Sequence, residues 1–135
     1  MASKSAAGQT FTLVSRLSNE AMISPEQLAS YRDKKRLLLV FAPSADDPRY
    51  LEQRGWLEAR AAGLKERDLS VFYLTPSGAA SLYGCFSVAE SGFTVVLIGK
   101  DGTEKRRYSE PVQPDELFST IDQMPVRRRE MSQER

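Results

Sequence analysis

The sequence predicts an α/β domain: a mixed sheet of four to five strands with helices on both faces. Three observations carry this. The apolar runs RLLLVF (36–41) and LSVFYL (69–74) flank a stretch of helical spacing, which makes a crossover between parallel strands. A third run, FTVVLI (93–98), passes through GKDG into TEKRRY (103–108), and Asp101-Gly102 is a hairpin signal, so this pair is antiparallel. The segment PDELFSTIDQM (114–124) then closes the order with a helix.

The composition allows one such domain. The chain has 135 residues, 41% hydrophobic and 27% charged, enough for a real core in a single unit. Nineteen basic and eighteen acidic residues give a net charge of +1, which argues against general nucleic-acid binding and against docking on anionic membranes. No run of eighteen apolar residues is present, so no membrane span is expected. Met1 to Thr10 carries a lysine without an apolar stretch behind it and does not read as a signal peptide; the compartment is left open. Histidine is absent and Cys85 is the single cysteine. An internal disulfide is therefore impossible, and neither a metal nor a cofactor is expected. Catalysis would have to run on carboxylates, lysine, tyrosine or that one thiol.

Taken in order, residues 1–10 are small and polar, a disordered lead-in. Phe11 to Val14 is a short edge strand. SPEQLASYRDK opens a two-turn helix: Ser24 caps, Pro25 suits the first helical position, and Gln27 completes a capping box. Leu37 to Phe41 is uninterrupted apolar sequence, a strand buried on both faces. Asp47-Pro48 starts a helix running to about Lys65, with Tyr50, Leu57, Ala61 and Leu64 as its apolar stripe and Leu51 and Trp56 beside it. Gly55 and Gly63 weaken that helix by roughly 1 kcal/mol each relative to alanine, and close packing on the sheet is their expected use. Thr75 to Gly78 breaks the chain before a short helix, AASLYGCF. In the last helix Pro114 occupies the first turn, Asp115 and Glu116 complement the dipole, and Leu117, Phe118 and Ile121 face the core. The domain is expected to span residues 11–125, with 126–135 a charged tail.

This order, with parallel strands joined by a right-handed crossover and then a hairpin, is the thioredoxin arrangement. A flavodoxin-like sheet would need a helix between every strand pair, and the hairpin argues against it. FTVVLIGKDG also looks like the strand and turn of thioredoxin-like and peroxiredoxin-like proteins. Thr94 matches their threonine, while Phe93 stands where those enzymes keep a cis-proline. RLLLVFAPSADDPRYLEQ, FTVVLIGKDG, RYSEPVQPDELFSTID and MPVRRREM together resemble a narrower family, a thioredoxin-like domain of unknown function of the P-DUDES type. That family occurs in bacterial proteins and within sushi-repeat-containing and related secreted matrix proteins. The resemblance covers Arg36 to Met131. It implies the fold and an often secreted setting; redox chemistry follows from it only by fold analogy.

The candidate site is the turn after the first long strand. Thiol enzymes of this fold activate a cysteine at a helix N-terminus there, whereas this chain has Ser44-Ala45-Asp46-Asp47-Pro48. Asp47 reads first as a helix cap; the functional alternative is a polar binding cluster of Ser44, Asp46, Asp47, Arg49, Tyr50 and Gln53. Cys85, in the apolar setting YGCF, reads as a small buried hydrophobe, with a lone redox thiol as the alternative. Arg127-Arg128-Arg129 reads as solvated tail, or as Arg129 and its neighbours packing back on the last helix or on a second chain. Tyr50 and Trp56 read as core or as a patch facing a partner.

The leading functional expectation is a non-enzymatic binding or scaffold module that engages a protein partner through a sheet edge or the Asp46–Gln53 face. The alternatives are an oxidoreductase acting through Cys85, and a small-ligand site near Asp47, Arg49 and Tyr50. A homodimer through Thr103 to Tyr108 is conceivable in topology, but the charges of that strand discourage it.

Overall fold

The computed structural model describes residues 24–133. The lead-in and the strand expected at Phe11 to Val14 lie outside them. Helix α1 (Pro25–Ala29) begins with the capping box: the Ser24 amide donates to Gln27 Oε1 at 2.8 Å, and the Gln27 amide donates to Ser24 Oγ at 3.2 Å. Strand β1 (Arg36–Phe41) follows, and all six of its residues are buried. Then come α2 (Pro48–Glu58), α3 (Ala61–Glu66), β2 (Leu69–Leu74), α4 (Pro76–Cys85), β3 (Thr94–Ile98), β4 (Glu104–Tyr108), α5 (Pro114–Asp122) and α6 (Pro125–Gln133).

The four strands form one sheet in the order β2-β1-β3-β4. β1 runs parallel to β2, with Arg36 beside Leu69 and Phe41 beside Leu74. It runs antiparallel to β3, with Leu37 beside Ile98, and β3 pairs antiparallel with β4. Because strand side chains alternate, β1 serves two cores. Leu38, Val40 and Ala42 pack with Tyr50, Leu57, Leu117 and Ile121 beneath α2 and α5. Leu37, Leu39 and Phe41 pack with Leu28, Leu82 and Tyr83 beneath α1 and α4. This is an α/β thioredoxin-like fold with helices on both faces.

Several local expectations are corrected. The helix expected from Asp47 to Lys65 is two helices, broken at Arg60 (φ −121°, ψ 34°). The break brings α3 against α5: a Cβ on Gly63 would lie 2.6 Å from the Phe118 ring, so this glycine packs on a helix and not on the sheet. Gly55 faces open space, and Ala61 is exposed instead of lining the core. The hairpin is longer than a two-residue turn. Residues 99–103 connect the strands, Gly102 takes φ +84°, and Lys105 forms a bulge between the Leu97–Arg106 and Ile98–Glu104 pairs. The break expected at 75–78 is instead the first turn of α4, followed by a kink at Ala79 (φ −143°).

The charged tail expected at 126–135 is the largest correction. Residues through Gln133 form α6, and Arg127 is only 1% exposed. Its guanidinium donates to Glu66 Oε2 at 2.9 Å and to Asp122 Oδ1 at 3.2 Å. One turn on, Glu130 pairs with Lys100 at 2.6 Å and with the buried Arg36 at 3.2 Å. Arg128 and Arg129 point to solvent, so it is Arg127, not Arg129, that packs back. A charge run reads as solvated until its partners are known; here the partners come from β1, α3, α5 and the β3–β4 loop.

Candidate functional site

The site is built where β1 ends and α2 begins, next to the start of β3. Strand β1 delivers the chain to Ala42. Pro43 to Asp46 make the turn, and Asp47 caps α2 in extended conformation (φ −61°, ψ 128°). Asp47 Oδ1 accepts the Arg49 backbone N–H at 2.8 Å and the Arg49 Nε–H at 3.0 Å, while Oδ2 accepts from Nη2 at 2.9 Å. The carboxylate is thus a cap and one half of a bidentate ion pair. The side-chain bond from Arg49, opposed by partial burial, pulls its pKa down to about 2.

The Arg49 guanidinium also lies over the Phe93 ring, 5.5 Å from its centroid. Phe93 is buried, one residue before β3. The corner therefore holds an aspartate, an arginine and a phenylalanine in contact. Tyr83 closes the floor behind it. Its hydroxyl donates to the carbonyls of Ala42 at 2.9 Å and Leu74 at 3.1 Å, fastening α4 to the C-terminal ends of β1 and β2. Burial pushes the Tyr83 phenol up to about 12.

The six sequence candidates divide. Ser44, Asp46, Asp47 and Arg49 gather at the corner; Ser44 and Asp46 are exposed, and Ser44 Oγ accepts the Asp46 amide at 3.3 Å. Tyr50 and Gln53 turn into the core. The Tyr50 hydroxyl accepts from Arg54 Nη1 at 2.9 Å, and its ring lies 5.4 Å from that of Tyr73. Gln53 is fully buried: its Nε2 donates to the Val112 carbonyl at 2.9 Å and its Oε1 accepts the Val112 amide at 2.8 Å. That exchange completes a strand-like pairing with the loop before α5. Trp56 is half-buried.

Cys85 corrects the buried-hydrophobe expectation, because it is exposed. It is the last residue of α4, at the negative end of the helix dipole, whereas activated thiols of this fold occupy an N-terminus. Among the described residues no group of three or more histidine, cysteine or acidic side chains could hold a metal. Nor, among them, is any helix long and apolar enough to cross a membrane.

What the corner does present outward is a short mixed surface. Asp46, Pro48 and Glu52 are exposed, and Leu51, expected beside the core stripe, is 55% exposed. Sequence reasoning missed the exposure of Leu51, the stacking of Arg49 on Phe93, and the Tyr83 clamp. A hydrophobe at the first turn of a helix whose stripe starts at Tyr50 was the signal for Leu51; the other two depend on neighbours distant in the chain.

Residues 27–130 match the family described as Domain of unknown function (DUF4174). The chain belongs to this family. Human Sushi repeat-containing protein SRPX is 32% identical over 120 residues, covering 77% of this chain and 26% of that protein. Human Sushi repeat-containing protein SRPX2 is 28% identical over 124 residues, covering 80% and 27%. The DUF4174 chain thus spans about a quarter of the length of the curated relatives it matches. Among solved structures, the reduced 2-Cys peroxiredoxin of Plasmodium vivax superposes with a TM-score of 0.62 at 18% identity, covering 77% of this chain and 84% of that one. Fasciola hepatica thioredoxin gives 0.55 at 19% identity, covering 71% and 86%. At such identities these likenesses establish the fold alone.

Proposed function

We propose that this DUF4174 domain is a non-catalytic module that binds a protein partner across the surface around the start of α2. The observation that carries the reading is the Asp47–Arg49–Phe93 contact. Thiol chemistry on this fold needs a nucleophile at the helix N-terminus with amides and positive charge directed at it. Here a carboxylate takes those amides and its own arginine neutralises it. The N-terminus is therefore closed to an incoming anion as well. A small-ligand role for Asp47, Arg49 and Tyr50 gains nothing from the geometry, since their polar groups engage one another and Arg54.

What stays outward is Leu51, flanked by Asp46, Pro48 and Glu52 on a capped helix, and the proposed contact is placed on this mixed patch. The family resemblance to modules of sushi-repeat proteins supports an extracellular setting for such contacts. The test is affinity capture with the parent domain and with Leu51→Arg, followed by rebinding of each captured protein in purified form. A partner retained by the parent, rebound when pure and lost with Leu51→Arg supports the reading. Partners bound equally by both proteins place the contact elsewhere and refute it.

A further inference from the structure

The free charges of this fold are sorted to opposite ends of the sheet. One end is where β1 and β2 begin and β3 stops. The turn after α1, the 66–68 turn, the β3–β4 loop and α6 meet there. The Asp33 amide donates to the Lys100 carbonyl at 2.7 Å, and the Arg32 side chain covers Gly102, where an added Cβ would lie 2.7 Å from Arg32 Nε. Helix α6 crosses the same end, tied to α3 through Arg127 and Glu66 and to β1 and the loop through Glu130.

The acids of this end are spent on partners within it. Glu66 pairs with Arg127, Asp122 with Arg67, Asp68 and Glu130 with Lys100, and Asp101 with Lys105. Among the described residues of this end, Asp33 is the one acid left without an ion pair. The cations are in excess. Arg32, Lys34, Lys65, Arg128 and Arg129 are exposed and make no ion pair, and half-buried Lys35 adds a further charge. At the opposite end Asp46, Glu90 and Glu110 are exposed without ion pairs, and the loops 42–48, 86–93 and 109–113 contain no lysine or arginine. The net charge of +1 for the whole chain conceals this polarity, and a local positive field is left at one end.

We propose that this end binds a linear sulfated polysaccharide. Such a chain is an extended row of anionic groups without bases or acyl tails, and it asks of a protein only cations set along its path. The unpaired cations follow α6 from side to side. Lys65 precedes Glu66, the partner of Arg127; Arg128 and Arg129 stand on the helix itself; Lys34 follows Asp33, which is bonded to Lys100, the partner of Glu130. Nucleic acid would ask for more, since bases are read by stacking or by groups entering a groove. Tyr31, the aromatic residue of the turn, is half-buried with its ring 5.7 Å from that of Phe72. A lipid surface would ask for apolar insertion, and Val126 is the one large exposed hydrophobe here among the described residues. The contact is independent of the partner surface proposed at the α2 corner, which lies at the other end of the sheet.

The test is titration of the full chain into fluorescently labelled heparin fragments over a series of salt concentrations, alongside Lys34→Ala, Lys65→Ala, Arg129→Ala and Arg106→Ala. Each variant removes one positive charge at an exposed position, and Arg106 lies on β4, off the path along α6. Binding that releases counterions falls linearly with salt on a log–log plot. The parent binds at physiological ionic strength. Lys34→Ala, Lys65→Ala and Arg129→Ala each make the salt slope shallower by about one, and Arg106→Ala keeps the parent slope. Fully desulfated heparin does not compete. Equal losses in all four variants, or in none, overturn the proposal, as do absence of binding by the parent at physiological ionic strength and competition by the desulfated chain. Tighter binding of duplex DNA or of phosphatidylserine vesicles at the same salt also overturns it, and would assign this end to nucleic acid or to a membrane.

Discussion

Replacing Arg127 by alanine tests whether the C-terminal helix belongs to the domain. The side chain is 1% exposed and bonds Glu66 at 2.9 Å and Asp122 at 3.2 Å, with Glu130 at 3.6 Å. Breaking a buried ion pair by removing one partner typically costs about 3–5 kcal/mol, because the survivor is stranded. Here the survivors are not stranded. Asp122 keeps Arg67 at 2.9 Å, Glu130 keeps Lys100 and Arg36, and both carboxylates are partly exposed. The loss is therefore of charge-assisted bonds and packing, about 2–3 kcal/mol. With a urea m-value of about 1.5–2 kcal/mol/M, the unfolding midpoint falls by about 1–2 M. Arg128→Ala, at an exposed position of the same helix, stays within about 0.5 kcal/mol of the parent. Arg127→Met, which keeps the apolar stem, falls between the two. Superimposable urea curves for Arg127→Ala and Arg128→Ala would refute the packed helix and restore a solvated tail.

Acid sensitivity follows from the corner. The folded pKa of Asp47, about 2, lies below its ordinary 3.8. Its contribution is therefore fully present above about pH 4 and is lost as pH falls from there through 2. Asp47→Ala costs about 1 kcal/mol at pH 7, and the gap between the two proteins closes toward pH 2; a gap independent of pH contradicts the ion-paired cap. The glycines of α2 and α3 respond in opposite directions. Gly55→Ala, facing open space, raises stability by about 0.5–1 kcal/mol. Gly63→Ala, driven against Phe118, lowers it by about 1–2 kcal/mol, and equal effects in thermal unfolding would contradict the α3–α5 contact.

What the sequence reveals is local, and what it hides is distant. The capping box at Ser24 and the cap at Asp47 are legible because each is complete within four residues. β1 is legible because its five consecutive apolar side chains are a short run bounded by charge on one side and proline on the other, the pattern of a strand buried on both faces. The strand–crossover–hairpin order then fixes the topology. By contrast, the partners of Arg127 and Glu130 include Glu66, Arg36 and Lys100, 30 to 94 residues away. The break at Arg60 goes with the fit of Gly63 to Phe118, which no periodicity in residues 48–65 records. Gln53 has the look of a surface polar residue until the backbone of Val112 is brought beside it. At the corner, the Asp47 cap was readable, but Arg49 meets Phe93 across 44 positions of sequence, and only the folded sheet brings them together.

The central claim is that this thioredoxin fold does no thiol chemistry. It is tested most directly by measuring hydroperoxide consumption and disulfide reduction by the parent domain alongside Cys85→Ser. The account predicts that neither protein turns over, and that the parent reacts no faster than a free cysteine peptide. Catalytic turnover in the parent that disappears with Cys85→Ser would contradict it.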